Sequence, residues 1–385
     1  MMHIKKHIYL FILLILAGCI KPYEPELKDD SVQKYVVQGM VSSVEGYQEV
    51  NVSLTSSVSQ PDYIALEGCQ VEIIDDQNKV FTLNSFTNGV YRVWMNQEDL
   101  VAGKSYKVVI HTPSGEVLES AYDEMSSGPD VNDIYYEVLE IPANDPDDWK
   151  IGLQFYTDLI AGEDDSRYYS WKLTETWEYH ALYPLEFFYD GKVHHVDPPD
   201  YSQMYCWTTF NIDEIFTLST SNFSENSYAR FPLNFVRNNT SRLGVLYSLL
   251  IHQASLTQNA YTYWDQLKQN SEQDGGLYSS QPMAIKGNLK NKTYPEKDVL
   301  GYFQASTVTT RRIFVYPSED LPMDFYNGCA TTLLEQGFVE INPRDYPAYM
   351  MSNDGQMTME LLYDGCIECT TRGGTTNKPY YWPIK

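Results

Sequence analysis

Apolar and polar residues alternate strictly along the stretch Val50-Asn51-Val52-Ser53-Leu54. The same alternation returns at residues 91–95 and 106–110. A period of two places every second side chain on one face of a β-strand, so each segment can bury one face and expose the other. Turn-forming residues separate the segments, among them Asn88-Gly89. About seven short strands between residues 34 and 126 predict an N-terminal β-sandwich of immunoglobulin-like or transthyretin-like size.

The composition changes near Ser126-Ser127-Gly128-Pro129, where we place the start of a larger β-rich domain, residues 127–385. Residues 182–226 are rich in Tyr, Pro and Asp, and we expect them to form irregular loops over one face. The predicted strands of this domain are 133–141, 150–157, 168–179, 230–236, 244–253, 283–289, 299–309 and 312–316.

One helix is predicted near residues 257–269. Ala260, Trp264 and Leu267 follow one another at helical spacing, and Gly275-Gly276 lies beyond the end of the segment. We expect this helix to pack against the sandwich, with a role in presenting a ligand as the alternative. The fold class is therefore mainly β, with one packed helix.

The chain begins with a different pattern. Lys5-Lys6 and an apolar run at residues 8–16 precede Leu16-Ala17-Gly18-Cys19. A basic start and a short apolar run are typical of a secretory signal peptide, here residues 1–18. Leu-Ala-Gly-Cys resembles the lipobox of bacterial lipoproteins, which implies that Cys19 is lipidated and anchors the chain. The alternative is an ordinary signal peptide, or a short buried helix, in which Cys19 is incidental.

Residues 19–33 are charged and contain Pro22 and Pro25, which favour an extended tether. Acidic residues shortly after a lipidated cysteine resemble the surface-export signal of Bacteroidetes lipoproteins. We therefore expect attachment to the outer membrane facing the cell surface, with the periplasmic orientation still open. The net charge of −25 argues against nucleic acid or anionic lipid as a partner, because both would be repelled.

Five cysteines follow Cys19, and an odd number outside the cytoplasm implies a free thiol or an intermolecular bond. Cys69 alternates with Val71 and Ile73, and we expect it to be the buried, unpaired cysteine. The remaining four can form two disulfides in three connectivities, and they are Cys206, Cys329, Cys366 and Cys369.

The motif Cys366-x-x-Cys369 admits three interpretations. Structural disulfides are favoured over a redox pair, because no helix is apparent after Cys366 to activate its thiol. A zinc site would need two further ligands, which Cys206 and Cys329 could supply.

Two acidic loops are candidates for calcium binding, with solvated turns as the alternative. Their carboxylates are Asp145, Asp147, Asp148, Glu163, Asp164 and Asp165. Aromatic residues of the irregular region could contact a ligand or a partner protein, with simple packing as the alternative. These residues are Tyr183, Tyr201, Tyr205 and Trp207.

The sequence contains no H-E-x-x-H, G-x-S-x-G, phosphate-loop, dinucleotide-binding or EF-hand motif. Adjacent His194-His195 would point to opposite faces of a strand. We therefore predict no cofactor, no resident metal and no catalytic residues.

Several short motifs together resemble a Bacteroidetes outer-membrane lipoprotein family known as domain of unknown function 4249. They are Val36-Val37-Gln38-Gly39, Asn88-Gly89-Val90-Tyr91, Gly103-x-x-Tyr106, Gly287-Asn288-Leu289, Val299-Leu300-Gly301-Tyr302-Phe303 with Ser306, Cys366-Ile367-Glu368-Cys369, Arg372-Gly373-Gly374-Thr375 and Pro379-Tyr380-Tyr381-Trp382. Cys69 departs from the pattern, since such proteins more often carry alanine there. The resemblance implies an N-terminal β-sandwich, a larger β-rich region and a role beside TonB-dependent outer-membrane transporters.

Together these features predict a non-enzymatic, surface-attached lipoprotein that captures a ligand for, or otherwise assists, a TonB-dependent transporter. Two alternatives come from other classes of protein. One is a lipid-anchored hydrolase of glycans or peptides, and the other is an adhesion or envelope-structure protein.

Overall fold

The computed structural model describes residues 33–57, 61–142, 149–272, 285–325, 329–335, 337–352 and 359–384. The signal peptide, Cys19 and all of the tether before residue 33 lie outside these ranges. Within them, no helix is long and apolar enough to cross a membrane.

The first part of the chain consists of short strands, as the alternating pattern predicts. Nine lie in the described residues before 125: β1 (Tyr35–Ser42), β2 (Gly46–Leu54), β3 (Ile64–Ala65), β4 (Gln70–Asp75), β5 (Val80–Thr87), β6 (Val90–Met95), β7 (Ser105–His111), β8 (Val117–Ser120) and β9 (Asp123–Glu124).

Longer strands and one α-helix follow in the described part of the chain. They are β10 (Ile134–Pro142), β11 (Trp149–Ile160), β12 (Tyr168–His180), β13 (Leu185–Tyr189), β14 (Val193–Asp200), β15 (Tyr205–Ser219), β16 (Ser227–Arg237), β17 (Leu246–Ser255), α1 (Gln258–Glu272), β18 (Leu289–Asn291), β19 (Val299–Val315), β20 (Thr331–Leu333), β21 (Ala348–Ser352) and β22 (Met359–Leu362). The mainly β prediction with one helix is confirmed.

The expectation of irregular loops over residues 182–226 is wrong, because β13, β14 and all of β15 lie there. Prolines at 198 and 199 suggested a loop, but β14 is the edge strand of its sheet, where a missing N–H donor is tolerated. Two cross-strand ring pairs hold β13 against β14. They are Phe187 with His195 at 4.6 Å and Phe188 with His194 at 4.3 Å between ring centroids.

A single long strand, β19, joins the two halves of the chain. Its first half pairs in parallel with β1, from Tyr35 opposite Val299 to Ser42 opposite Ser306. Its second half pairs antiparallel with β17. The resulting sheet has the strand order β15-β12-β17-β19-β1-β2-β6-β5-β4-β7-β8-β18, with β3 and β9 attached at the side. The strands predicted at 299–309 and 312–316 are therefore one continuous strand.

Two hydrophobic cores lie against this shared sheet. The first contains the alternating residues of the N-terminal strands together with Leu289, Val299, Phe303 and Ala305 from much later in the chain. The second lies between β12, β15, β17 and β19 and a three-stranded sheet of order β10-β11-β16. Trp171 anchors this second core and stacks on Phe231 at 4.3 Å.

A third sheet, of order β14-β13-β21-β22-β20, packs the C-terminal part of the chain. Short 3-10 turns connect its strands to the final segment, among them Asp364–Cys366 and Cys369–Arg372. The two disulfides described below cross-link this region, as predicted for a disulfide-stapled tail.

Candidate ligand-binding cleft

A cavity of about 520 Å³ lies on the face of the shared sheet that points away from the second core. It continues into a second cavity of about 390 Å³ beside β1 and β2, and we call the pair the junction cleft. Both cavities are lined by Gln38, Met40, Lys172, Trp264 and Gln304. The cleft therefore lies where the two halves of the chain meet.

The period-two pattern of the strands decides which side chains enter the cleft. On β12, Trp171 and Leu173 point into the second core, and the intervening Lys172 and its neighbour Thr174 line the cleft. Lys172 lies directly opposite His252 on β17. A buried core on one side of the sheet thus fixes a polar surface on the other.

Helix α1 forms one wall of the cleft. Ala260 is fully buried in a cluster with Tyr302 and Val308 of β19, so the helix packs against the shared sheet. Trp264 on the same helix also lines the cleft, and its indole Nε1 donates a 2.6 Å hydrogen bond to Oε1 of Gln304. The helix therefore packs against the sheet and presents an aromatic side chain to the cavity.

Lys172 has no carboxylate within ion-pair distance in the described ranges. The walls of the cleft surround this lysine, although its side chain stays open to solvent inside the cavity. Desolvation lowers the pKa of Lys172 below the usual lysine value. The ammonium group therefore loses part of its hydration in the cleft, and no ion pair within the described residues offsets that loss.

Two further basic side chains lie near Lys172 on this face. Burial lowers the pKa of His252, and the charges of Lys172 and Arg312 lower it further, so its imidazole is neutral at pH 7. Arg312 stacks on Tyr381, with its guanidinium carbon 3.7 Å from the ring centroid, and its Nη1 donates to Oγ of Ser248 at 2.8 Å. Lys172 is therefore the cation that is free to meet a ligand in the cavity.

The rest of the lining is mixed. Amide and hydroxyl groups come from Gln38, Gln304, Asn211 and Thr174, and apolar surface comes from Met40, Ile212, Ile215 and Val308. Asp213 and Glu214 stand exposed at the rim on β15, beside the register shift between β12 and β15. The cleft combines an inner cation, neutral polar groups and an acidic rim.

The predicted cysteines form two disulfides and leave one free thiol in the described part. Cys206 pairs with Cys369, and Cys329 pairs with Cys366, with Cα–Cα distances of 5.7 and 5.0 Å. The two sulfurs of the C-x-x-C motif thus bond to different partners, so the motif is structural in this fold and forms neither a redox pair nor half of a zinc site.

Cys69 is unpaired, as expected, but it is only half-buried. It precedes β4 instead of lying within it, and its backbone N–H donates to the Tyr91 hydroxyl at 3.0 Å. Burial raises the pKa of its thiol, which makes the thiolate scarce at neutral pH.

The four predicted contact aromatics do not form one surface, and none of them lines the junction cleft. Trp207 is buried against Leu246 and Trp382, and Tyr183 packs beside the Cys329–Cys366 disulfide. Tyr201 and Tyr205 are exposed, and their role as contacts stays a prediction.

The calcium candidates divide into two groups. Asp145, Asp147 and Asp148 lie outside the described residues. Glu163 and Asp164 are exposed, and the carboxylate of Asp165 accepts hydrogen bonds from the Gly162 N–H at 2.8 Å and the Ser127 hydroxyl at 2.7 Å, as in an ordinary turn. Across the described ranges, no three His, Cys, Asp or Glu side chains come close enough to hold a metal ion.

Comparison with solved structures gives only distant similarities. A DUF4785 family protein from Legionella pneumophila shares 10% identity, with a TM-score of 0.17, over 57% of this chain and 52% of that one. A tetra-tandem repeat from the extending region of a large adhesion protein shares 9%, with a TM-score of 0.17, over 78% and 51%. A bacterial ice-binding adhesin shares 10%, with a TM-score of 0.15, over 87% of each chain. The chain thus spans about half the length of the first two structures.

No curated protein matches the sequence significantly. A family match does exist and covers residues 20–312, which include the N-terminal strands, the helix and most of β19. It ends before the C-terminal cysteine motif, so that part of the resemblance lies outside the matched range. The chain belongs to the family described as domain of unknown function DUF4249.

Proposed function

We propose that this protein is a lipid-anchored, cell-surface protein that captures a ligand in the junction cleft and passes it to a TonB-dependent outer-membrane transporter. The observation that carries the proposal is the cleft itself. It is built on the one sheet that unites both halves of the chain, and its walls come from β1, β2, β12, β15, β17, β19 and α1. A cavity supported by a continuous sheet is pre-organised for binding, which reduces the entropic cost of capture.

The sequence before the described residues supports attachment to the membrane. Lipidation of Cys19 would hold the chain by several acyl chains, and the proline-containing stretch up to residue 33 would let the folded body stand away from the bilayer. The acidic composition suits a soluble body above an anionic surface, because electrostatic repulsion keeps it from collapsing onto the membrane.

The side chains of the cleft favour binding over catalysis. Acyl or glycosyl transfer needs a nucleophile or acid held beside a base by a short hydrogen bond. His252 lies opposite Lys172, and the charged groups that shift its pKa are two cations instead of an orienting carboxylate. The polar amides, the indole and the single cation are groups that recognise a ligand.

Capture for a transporter is tested by isolating the tagged full-length protein from gently solubilised outer membranes and identifying its partners by mass spectrometry. A TonB-dependent β-barrel should be recovered with the wild type and with a Cys69→Ala variant as a matched thiol control. A Cys19→Ala variant should lose both the membrane fraction and the barrel. Recovery of the lipidated protein without any β-barrel partner would overturn the proposal.

A further inference from the structure

We infer that the captured ligand carries a carboxylate on a neutral polar body, and that the Lys172 ammonium binds this carboxylate inside the junction cleft. This inference rests on the proposed capture function and names the chemistry of what is captured. Its first support is the position of Lys172, which lines both cavities of the cleft without a carboxylate partner in the described part of the chain.

The chain has 52 acidic residues against 27 basic ones, so carboxylate partners are abundant. Other lysines use them: Lys107 pairs with Glu119 at 2.8 Å, and Lys297 pairs with Glu116 at 2.8 Å. Lys172 lines both cavities and stays open to solvent there, but it takes no such partner in the described part of the chain. Partly removing an ammonium group from water without a counter-charge is unfavourable. An external anion would remove that penalty.

The surroundings of Lys172 fit a single negative charge and not a polyanion. Among the described residues one ammonium lines the cleft, His252 is neutral at pH 7, and the Arg312 guanidinium is already held by Ser248 and Tyr381. Asp213 at the rim would repel additional negative charge. Phosphate groups are usually held by several donors, such as Arg forks or helix N-termini, whereas a carboxylate can be held by one lysine.

The other residues that line the cleft indicate the chemistry of the uncharged part of the ligand. Gln38 and Asn211 offer paired amide donors and acceptors, and Trp264 offers a ring edge or face beside Met40. Such groups bind hydroxyls and amides on one side and apolar ring or chain surface on the other. Two sources share this chemistry: an acidic saccharide, such as a uronic acid oligomer, and the free C-terminus of a short peptide.

Matched probe pairs separate these sources. We would titrate the purified mature chain by calorimetry with digalacturonate and its dimethyl ester, and with N-acetyl-trialanine and its C-terminal amide. One acid is expected to bind at least tenfold more tightly than its neutral partner, and the pair that shows the difference identifies the source. Added salt should weaken binding of the acid, because the interaction is between charges.

Variants locate the effect at Lys172. Lys172→Met should weaken binding of the acid about 10- to 100-fold, the usual effect of losing one charged hydrogen-bond donor. Lys172→Arg should restore most of that loss. Lys290→Met on β18, an exposed lysine outside the cleft, should leave binding unchanged.

Three outcomes would overturn this inference. They are equal binding of the acid and neutral probes, an unchanged affinity in Lys172→Met, and no binding of either acid. In each case capture of a neutral ligand for a transporter could still be correct, because recovery of a β-barrel partner tests that function separately.

Discussion

Asp123 on β9 accepts a 2.7 Å hydrogen bond from the hydroxyl of Thr257, the residue that precedes helix α1. Its other carboxylate oxygen accepts a 3.0 Å bond from the backbone N–H of Ala305 on β19. A single buried carboxylate therefore connects the N-terminal sandwich, the shared strand and the helix that walls the cleft. The position of the helix, and with it Trp264, depends on this side chain.

Burial raises the pKa of Asp123 to about 6, above the ordinary value of 3.8. The folded state then binds more protons than the unfolded state between these two values, so the contribution of Asp123 to stability falls as pH rises from about 4 to about 6. A shift of this size corresponds to about 3 kcal/mol in the free energy of unfolding. Chemical denaturation at several pH values would measure it.

Asp123→Asn is the matched variant, because its amide can accept from Ala305 and donate to Thr257 without titrating. Relative to the variant, the wild type should lose stability between pH 4 and pH 6 and remain level above that range. Parallel stability curves for the two proteins would show that Asp123 does not titrate as described.

The two disulfides should contribute unequally to stability. Cys206–Cys369 closes a sequence separation of 163 residues, and Cys329–Cys366 closes one of 37. In the chain-entropy model, these loops correspond to about 5 and about 4 kcal/mol respectively. The pair of alanine substitutions at 206 and 369 should therefore lower the free energy of unfolding by about 1 kcal/mol more than the pair at 329 and 366.

Non-reducing peptide mapping checks the connectivity that this comparison assumes. Peptides containing residues 206 and 369 should be linked, and so should those containing 329 and 366. A bond within the C-x-x-C motif, or free thiols at both of its cysteines in oxidised protein, would contradict the structural assignment.

Gly301 is the position on β19 where a side chain is least tolerated. Its φ is +99°, and a Cβ atom there would lie 1.9 Å from the carbonyl oxygen of Val37 on the parallel neighbour β1. Gly301→Ala should cost at least about 3 kcal/mol, because backbone strain and a clash with the sheet combine. Gly103 is the control: it has φ +89° but open space around it, so Gly103→Ala should cost only about 1 kcal/mol. Equal losses in urea denaturation would mean that β1 can shift to accept the methyl group.

The sequence predicts local features of this fold better than it predicts their long-range pairing. The alternation along β2, β6 and β7 and the helical spacing of Ala260 and Trp264 depend on near neighbours, and both are confirmed. The parallel pairing of Tyr35 with Val299 joins residues 264 positions apart, and no local pattern indicates it. The sequence does not predict the cleft for the same reason. Lys172 and His252 are ordinary polar positions on separate strands in the sequence, and only the strand register places them opposite each other.

Lys172 offers a last test, one of stability instead of binding. If its ammonium has no partner in the free protein, Lys172→Met removes a charge that the cleft desolvates only in part, and it keeps the aliphatic chain against the cleft wall. The variant should then be more stable than the wild type by about 0.5–1 kcal/mol, the common pattern when a binding residue is replaced. Lys290→Met, at a lysine outside the cleft, should change stability by less than about 0.5 kcal/mol, as most surface substitutions do. If urea denaturation shows that Lys172→Met is less stable than the wild type, the folded chain already compensates this charge. The Lys172 ammonium would then not be available to bind a ligand.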